Sequence, residues 1–367
     1  MKRKSFLFLL AVLFLLPTRA ADAAPATSAK SMILVHPASG RVLAEKDAQV
    51  PLPIASTTKL MTALTAAENA DPLTEAEIAP EWTGIEGSSM YLARGERYTV
   101  RELLEGLLLA SGNDAAVALA CVTAGDVSSF VGLMNEKCLA LGMENTHFEN
   151  PHGLDSAKHF STARDLALLM TAVMKNDLLR EILAETSCVI HGRTYENHNK
   201  LLRSCRGVSG GKTGYTMSAG RCLVSVCERD GLQLVCVTLS DPRDWSDHAA
   251  LYDWAYSRFQ FLHIPAGRTL CALPLVSGRV PEAELCIEND VSLCLKQEEI
   301  PEIICYLPPF AFAPLRKGDR LGTLLVKVDG KTAAEMPLVC NEICPRQSTA
   351  ASTLRYTVDM LMGIYTI

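Results

Sequence analysis

Hydrophobic residues fill positions 32–35 of SMILVH without a break, the polar turn Pro37-Ala38-Ser39-Gly40 follows, and RVLA at 41–44 restores the apolar run. That pattern predicts a β-hairpin. From Ser56 to Ala70 the spacing changes to a helical one, with Leu60, Leu64 and Ala67 on one face. The stretch TVRELLEGLLLASGNDAAVALACVTAG predicts two helices interrupted at Ser111-Gly112-Asn113. VSSFVGLMNEKCLALG predicts another helix, stopped by Gly142, and TARDLALLMTAVMKN a further one, capped by Ser161 or Thr162. After Gly207 the period shortens to two. GKTGYT and GRCLVSVCERDGLQLVCVTLSD predict three strands, the last two joined across Arg229-Asp230-Gly231, before DHAALYDWAYSRF returns to helix.

Strands therefore come first, helices fill the middle, and strands and a helix close the unit. The early and late strands must join one antiparallel sheet packed by helices, an α+β arrangement. This domain is placed at 24–262. HIPAGRTL marks its end, and beyond it short apolar runs alternate with turns: LCALPLV, AELCIE, VSLCLK, EIICYL and GTLLVKVDGKTAAEMPLV. These predict a small all-β domain at 263–345. In the tail, 346–367, Leu354, Val358, Leu361 and Tyr365 share one helical face. A short amphipathic helix there is too brief to span a bilayer. It either touches a membrane surface peripherally or packs on the protein.

The N-terminus follows another logic. Lys2, Arg3 and Lys4 precede an apolar run from Phe6 to Leu16, Pro17 breaks it, and Ala21-Asp22-Ala23 offers a small-x-small cleavage site. Residues 1–23 read as a signal peptide of an exported, extracytoplasmic protein. The 367-residue chain carries a formal charge of −6, and removing the leader leaves 31 basic against 40 acidic residues, or −9. An acidic chain without a basic run argues against a nucleic-acid partner. Thirteen cysteines invite a disulfide framework, yet their number is odd and their spacing scattered. Cys222, Cys227 and Cys236 lie in apolar strand-like runs, where cysteine packs as a small hydrophobe, so mostly free, buried thiols are expected. No zinc-type Cys/His spacing occurs, and no metal or cofactor is called for.

Candidate chemistry begins with PIASTTKLMTAL. Ser56 and Lys59 stand three apart and would share a helical face, as a nucleophile with its base or as a plain helix start. Ser111-Gly112-Asn113 falls between helices, and Lys212-Thr213-Gly214 on a strand after a glycine-rich bend. Each alone has an ordinary structural explanation. In the order S-x-x-K, S-x-N, K-T-G they form the motif set of penicillin-binding proteins and serine β-lactamases.

The chain resembles the D-alanyl-D-alanine carboxypeptidases, the low-molecular-mass penicillin-binding proteins of peptidase family S11. PIASTTKLMTAL, LLLASGNDAAVALA, FENPHGLD, FSTARDLALL, GGKTGYT and AGRCLVS are all similar to family stretches, and PLRKGDRLGTLLVKVDGK to the family's C-terminal domain. The resemblance implies a β-lactamase/DD-peptidase-like catalytic domain followed by a small β-rich one. It implies Ser56 as nucleophile, Lys59 as base and Ser111 as proton relay. It further implies Asn113, Lys212, Thr213 and Gly214 on the substrate, with the Tyr215 N–H as an oxyanion donor beside that of Ser56. An arginine commonly assists in the family. Arg243 in SDPRDWSDH is the nearest candidate, against an ordinary loop role. His152, His191 and His198 are expected in ordinary roles. The implied substrates are peptidoglycan stem peptides ending in D-Ala-D-Ala, with β-lactams as covalent inhibitors. A β-lactamase is an alternative, opposed by the S-G-N triplet, the β-domain and the lack of a clear E-x-x-L-N segment. A sensor or scaffold that acylates without turnover is another.

Overall fold

Strict alternation along Ser31–His36 (β1) sends side chains into two separate cores. Ile33 and Val35 join the large cluster under the helices, while Met32 and Leu34 join a second cluster on the opposite face. A strand buried on both faces belongs at the centre of a three-layer unit. The computed structural model describes residues 23–347. The expected signal peptide, apart from Ala23, and the expected tail helix beyond residue 347 lie outside them.

β1 pairs with Arg41–Lys46 (β2), as the hairpin pattern predicts. A 3-10 turn at Ala55–Thr58 leads directly into Lys59–Asn69 (α1). Ser56 thus sits on the tighter turn before the helix rather than at the α-helical start expected from the sequence. Glu75–Glu77 (β3) and Arg97–Thr99 (β4) form a small ribbon, followed by Val100–Leu108 (α2). Asn113–Ala124 (α3) and Val127–Leu141 (α4) come next, the latter ended by Gly142 at φ +71°. Thr162 caps Ala163–Val173 (α5) by accepting from the Asp165 N–H. Asp177–Ala184 (α6), the hairpin Ser187–Ile190 (β5) and Arg193–Glu196 (β6), and the single turn Leu201–Ser204 (α7) follow.

Val208–Thr216 (β7), Gly220–Arg229 (β8) and Leu232–Leu239 (β9) complete the main sheet in the order β2-β1-β9-β8-β7, antiparallel throughout. Early and late strands meet where β1 pairs with β9. Asp244–Arg258 (α8) covers the second face, with Leu251, Tyr252 and Ala255 on Met32, Leu34, Leu234 and Cys236.

The second unit is all β. Phe259–Ile264 (β10) continues directly from α8 and pairs with a strand of the second unit, so residues 262 and 263, where the domain boundary was expected, lie within one strand. Cys271–Val276 (β11), Glu282–Cys286 (β12), Val291–Lys296 (β13), Pro301–Tyr306 (β14), Ala311–Phe312 (β15), Arg320–Val328 (β16) and Lys331–Cys340 (β17) follow. β10 pairs with β13, and the remainder form a six-stranded sheet, β14-β16-β17-β12-β11-β15, over a core that includes Leu273, Leu285, Val326 and Leu338. Arg41 of β2 clamps Glu299 with bonds of 2.7 and 2.8 Å, a fork-to-fork pair that joins the two units.

Candidate active site

α1 is buried along most of its length because it runs through the large core. Its first residue, Lys59, is therefore carried inside with its charge, and is fully buried. The amine finds three partners. Nζ lies 2.6 Å from Asn113 Oδ1, 2.6 Å from the His152 carbonyl oxygen and 2.9 Å from Ser56 Oγ. A neutral amine has two N–H groups and one lone pair. The two carbonyl-type oxygens can only accept, so they take the two N–H groups, and the lone pair is left for the Ser56 hydroxyl to donate to. Burial, then the charge of Lys212, push the Lys59 amine well below its ordinary value, against a smaller opposing effect of Asp114. Desolvation favours the neutral form, and the hydrogen-bond geometry accommodates it.

Lys212 comes from the middle of β7 and is also buried. Its Nζ is 3.1 Å from Ser111 Oγ and 3.1 Å from the Thr213 carbonyl oxygen. Burial lowers this amine to about 7. Ser111 itself, in the break between α2 and α3, holds φ at +61°, a conformation costly for a residue with a side chain. The Asn113 amide is engaged on both sides, accepting from Lys59 and donating to the Glu86 carbonyl. Neighbouring Asp114 accepts from the backbone N–H groups of Met90 and Leu92 at 3.0 Å each and so fastens the loop that brings Ser88 to the cleft.

β7 presses against the turn that carries Ser56. A Cβ on Gly214 would stand 2.9 Å from the Ile54 oxygen and 3.0 Å from the Ser56 nitrogen, so only glycine allows this approach. Ser56, Ser111, Thr213, Gly214 and Tyr215 all line one open cleft. Lys59, Asn113 and Lys212 lie behind them through the contacts above.

Arg243 is not brought into this group. Its side chain is largely exposed and stands 3.9 Å from Asp247. Arg221, which sequence reasoning passed over, does line the cleft. It is held by the buried Asp244 through bonds of 2.9 and 3.0 Å and lies over the Trp245 ring at 5.5 Å. It leaves Nη1 free of any of these bonds. The alternation of AGRCLVS with its partner strand was a weak signal that Arg221 and Cys222 point to opposite sides of β8. Among the histidines, His152 contributes only its backbone carbonyl to Lys59. His159 Nε2 lies 2.8 Å from Thr58 Oγ1 and supports the Ser56 turn from behind.

Known proteins are similar to this chain in sequence and fold. A family model described as D-alanyl-D-alanine carboxypeptidase, peptidase S11, matches residues 18–243, and one described as the C-terminal domain of penicillin-binding protein 5 matches 262–346. The D-alanyl-D-alanine carboxypeptidase DacF of Bacillus subtilis is 30% identical over 334 residues, 86% of each chain. DacA of Escherichia coli is 33% identical over 354 residues, 90% of this chain and 87% of its own. Among solved structures, penicillin-binding protein 5 of Haemophilus influenzae superposes with a TM-score of 0.74 at 26% identity, over 88% of this chain and 99% of its own. With the family model spanning most of the chain and these relatives nearly all of it, the chain belongs to the D-alanyl-D-alanine carboxypeptidase family, peptidase S11.

Proposed function

We propose that this protein is a serine-type D-Ala-D-Ala carboxypeptidase that removes the terminal D-alanine of peptidoglycan stem peptides through a Ser56 acyl-enzyme. The observation that carries the reading is the 2.9 Å contact between Ser56 Oγ and the fully buried Lys59 amine, which burial and Lys212 push well below its ordinary value. A serine hydroxyl needs such a base to attack near neutral pH.

In this reading Lys59 takes the Ser56 proton as Oγ attacks the carbonyl carbon of the penultimate D-alanine. The backbone N–H groups of Ser56 and Tyr215 receive the oxyanion, aided by the close approach of β7. The C–N bond then breaks. The departing amine collects the proton that Lys59 took, passed through Ser111, which is hydrogen-bonded to Lys212, so Lys59 is neutral again. Water, deprotonated by Lys59, attacks the ester, releasing the shortened peptide and restoring the Ser56 hydroxyl. Thr213 and Nη1 of Arg221 receive the terminal carboxylate, with Lys212 supplying positive potential beneath it. A β-lactam enters the same path and stops at the acyl-enzyme. The leader pattern of residues 1–23 supports export to the cell envelope, where such peptides are found.

The test follows free D-alanine from a D-Ala-D-Ala peptide, beside penicillin hydrolysis and covalent labelling by a fluorescent penicillin. Peptide turnover with slow penicillin hydrolysis is expected, and Ser56→Ala loses both turnover and label. Fast penicillin hydrolysis without peptide turnover would make the protein a β-lactamase. Labelling with neither turnover would make it a sensor or scaffold.

A further inference from the structure

Cys205 ends α7, and Cys227 lies on β8 opposite Val208, at the root of the strand that carries Lys212. Cys227 Sγ lies 3.4 Å from the carbonyl oxygen of Arg206, the neighbour of Cys205 in the chain, so both thiols belong to one cluster. Cys205 is half-buried and Cys227 fully buried, so the pair has an accessible member and a shielded one. A cation completes the cluster. Nη2 of Arg229 stands 3.7 Å from Cys205 Sγ. Arg229 is fixed there by bonds of 2.9 Å to the Arg206 carbonyl and 2.8 Å to Asp253, and by stacking on Tyr256 at 4.7 Å. The groups facing Cys205 are thus Cys227 and Arg229, with Asp253 and Tyr256 behind them.

We propose that Cys205 and Cys227 form a reactive dithiol that exchanges with low-molecular-mass disulfides and closes a reversible Cys205–Cys227 bridge. The hydrolytic reaction makes no use of these residues, so the proposal stands independently of it. The Cys205 thiolate attacks one sulfur of the disulfide, forming a mixed disulfide and expelling one thiolate. Cys227 then loses its proton and attacks Cys205 Sγ, expelling the second. The protein gives up two electrons and two protons, and one disulfide becomes two thiols. The neighbouring Cys227 thiol, then Arg229, hold the Cys205 thiol down at about 7 in spite of burial. Three half-buried thiols elsewhere behave oppositely: burial raises Cys121, and pushes Cys188 and Cys271 to about 12. Because α7 contributes Arg203 to the cleft and β7 starts three residues after Cys205, the bridge would tie the cleft wall to β8.

The experiment treats the reduced, folded full chain with oxidised glutathione at pH 7.5, quenches with N-ethylmaleimide and maps peptides by mass. The expected product joins the peptides containing residues 205 and 227, two hydrogens lighter, with two glutathiones released per bridge. Cys227→Ser should stop at a glutathione adduct on Cys205, and Cys205→Ser should form neither. Iodoacetamide at pH 7 should alkylate Cys205 about fivefold or more faster than Cys188, after allowing for the lower nucleophilicity of a more acidic thiol. Its rate should rise with pH to a midpoint near 7, a midpoint that Arg229→Gln moves upward. A wild-type Cys205 that reacts no faster than Cys121 or Cys188, or a glutathione adduct that never closes to the bridge, overturns the proposal.

Discussion

Gly153 packs its α-carbon so closely on Ala55 that a Cβ at position 153 would overlap the Ala55 carbonyl group. Both residues are conformationally unusual, Gly153 at φ +89° and Ala55 at φ +48°. Ala55 immediately precedes Ser56, so the 151–153 loop acts as the back wall of the Ser56 turn. The same loop supplies the His152 carbonyl to Lys59 and the Pro151 carbonyl to Thr62.

Gly153→Ala should therefore displace the turn and the Lys59 acceptor together. A shift of roughly 1 Å at a reacting group costs on the order of 100-fold in rate. Second-order acylation by a fluorescent penicillin is expected to fall by about 10- to 100-fold while the far-UV circular dichroism spectrum keeps its native shape. Acylation within twofold of wild type would show that the wall does not position Ser56.

Arg221 and Arg243 make opposite predictions. If Arg221 Nη1 receives the substrate carboxylate, Arg221→Gln should lower kcat/KM for a free-acid peptide by about 10- to 100-fold, the scale of one charge-assisted bond. Activity toward the corresponding C-terminal amide, already poor, should change little, so the discrimination between acid and amide collapses. Arg243→Gln should leave both within about twofold. The reverse pattern would return the role to Arg243.

The Ser56–Lys59 relationship was legible because i and i+3 side chains face one another even on a 3-10 turn. The meeting of Lys212 with Ser111, 101 residues away in the chain, was not legible from spacing and came only through family resemblance. Arg221 was missed because a polar residue near the start of a strand reads as solvent-facing. What marks it is the buried Asp244 carboxylate, and that partner is set by how α8 docks on the sheet. The His152 carbonyl was invisible for a simpler reason: a backbone oxygen leaves no trace in residue identity. That early and late strands share one antiparallel sheet followed from the pattern of strands and helices, whereas β3 and β4 are too short for alternation to register.

A buried lysine at about 7 weighs on stability. Between pH 7 and the ordinary lysine value near 10.4, the unfolded chain binds a proton that the folded chain does not. Stability therefore rises with pH across that window, and the burial cost is present in full below pH 7. Lys212→Met should remove the cost along with the catalytic function. Its melting temperature relative to wild type should be most favourable at pH 6 and should lose that advantage toward pH 10. The lost contacts to Ser111 and Thr213 offset the gain by about 1 kcal/mol each, but without pH dependence. A difference that stays constant from pH 6 to 10 would mean that Lys212 titrates alike in the folded and unfolded chain.

Lys59 admits the sharpest test, because base and plain cation require different side chains. As a base it must be neutral to act, and both burial and Lys212 favour that form. Acylation by a β-lactam should rise with pH through an apparent pKa well below 10.4, a value that belongs to the coupled Ser56–Lys59–Lys212 site. Below that midpoint the ammonium has no lone pair for the Ser56 proton, and the rate should fall about tenfold per pH unit. Lys59→Arg keeps a positive charge but cannot accept a proton, and its wider planar head cannot reproduce contacts to Ser56, Asn113 and His152 at once. It should be slower by about 1000-fold or more, and Lys59→Ala comparably slow. The measurement is the second-order acylation rate from about pH 5 to 10 in wild type and both variants, with thermal melts to establish folding. An arginine variant that is folded and acylates near the wild-type rate would reduce Lys59 to a structural cation. Loss of the pH dependence in Lys59→Ala, with Ser56 still slowly acylated, would assign the titration to the lysine amine.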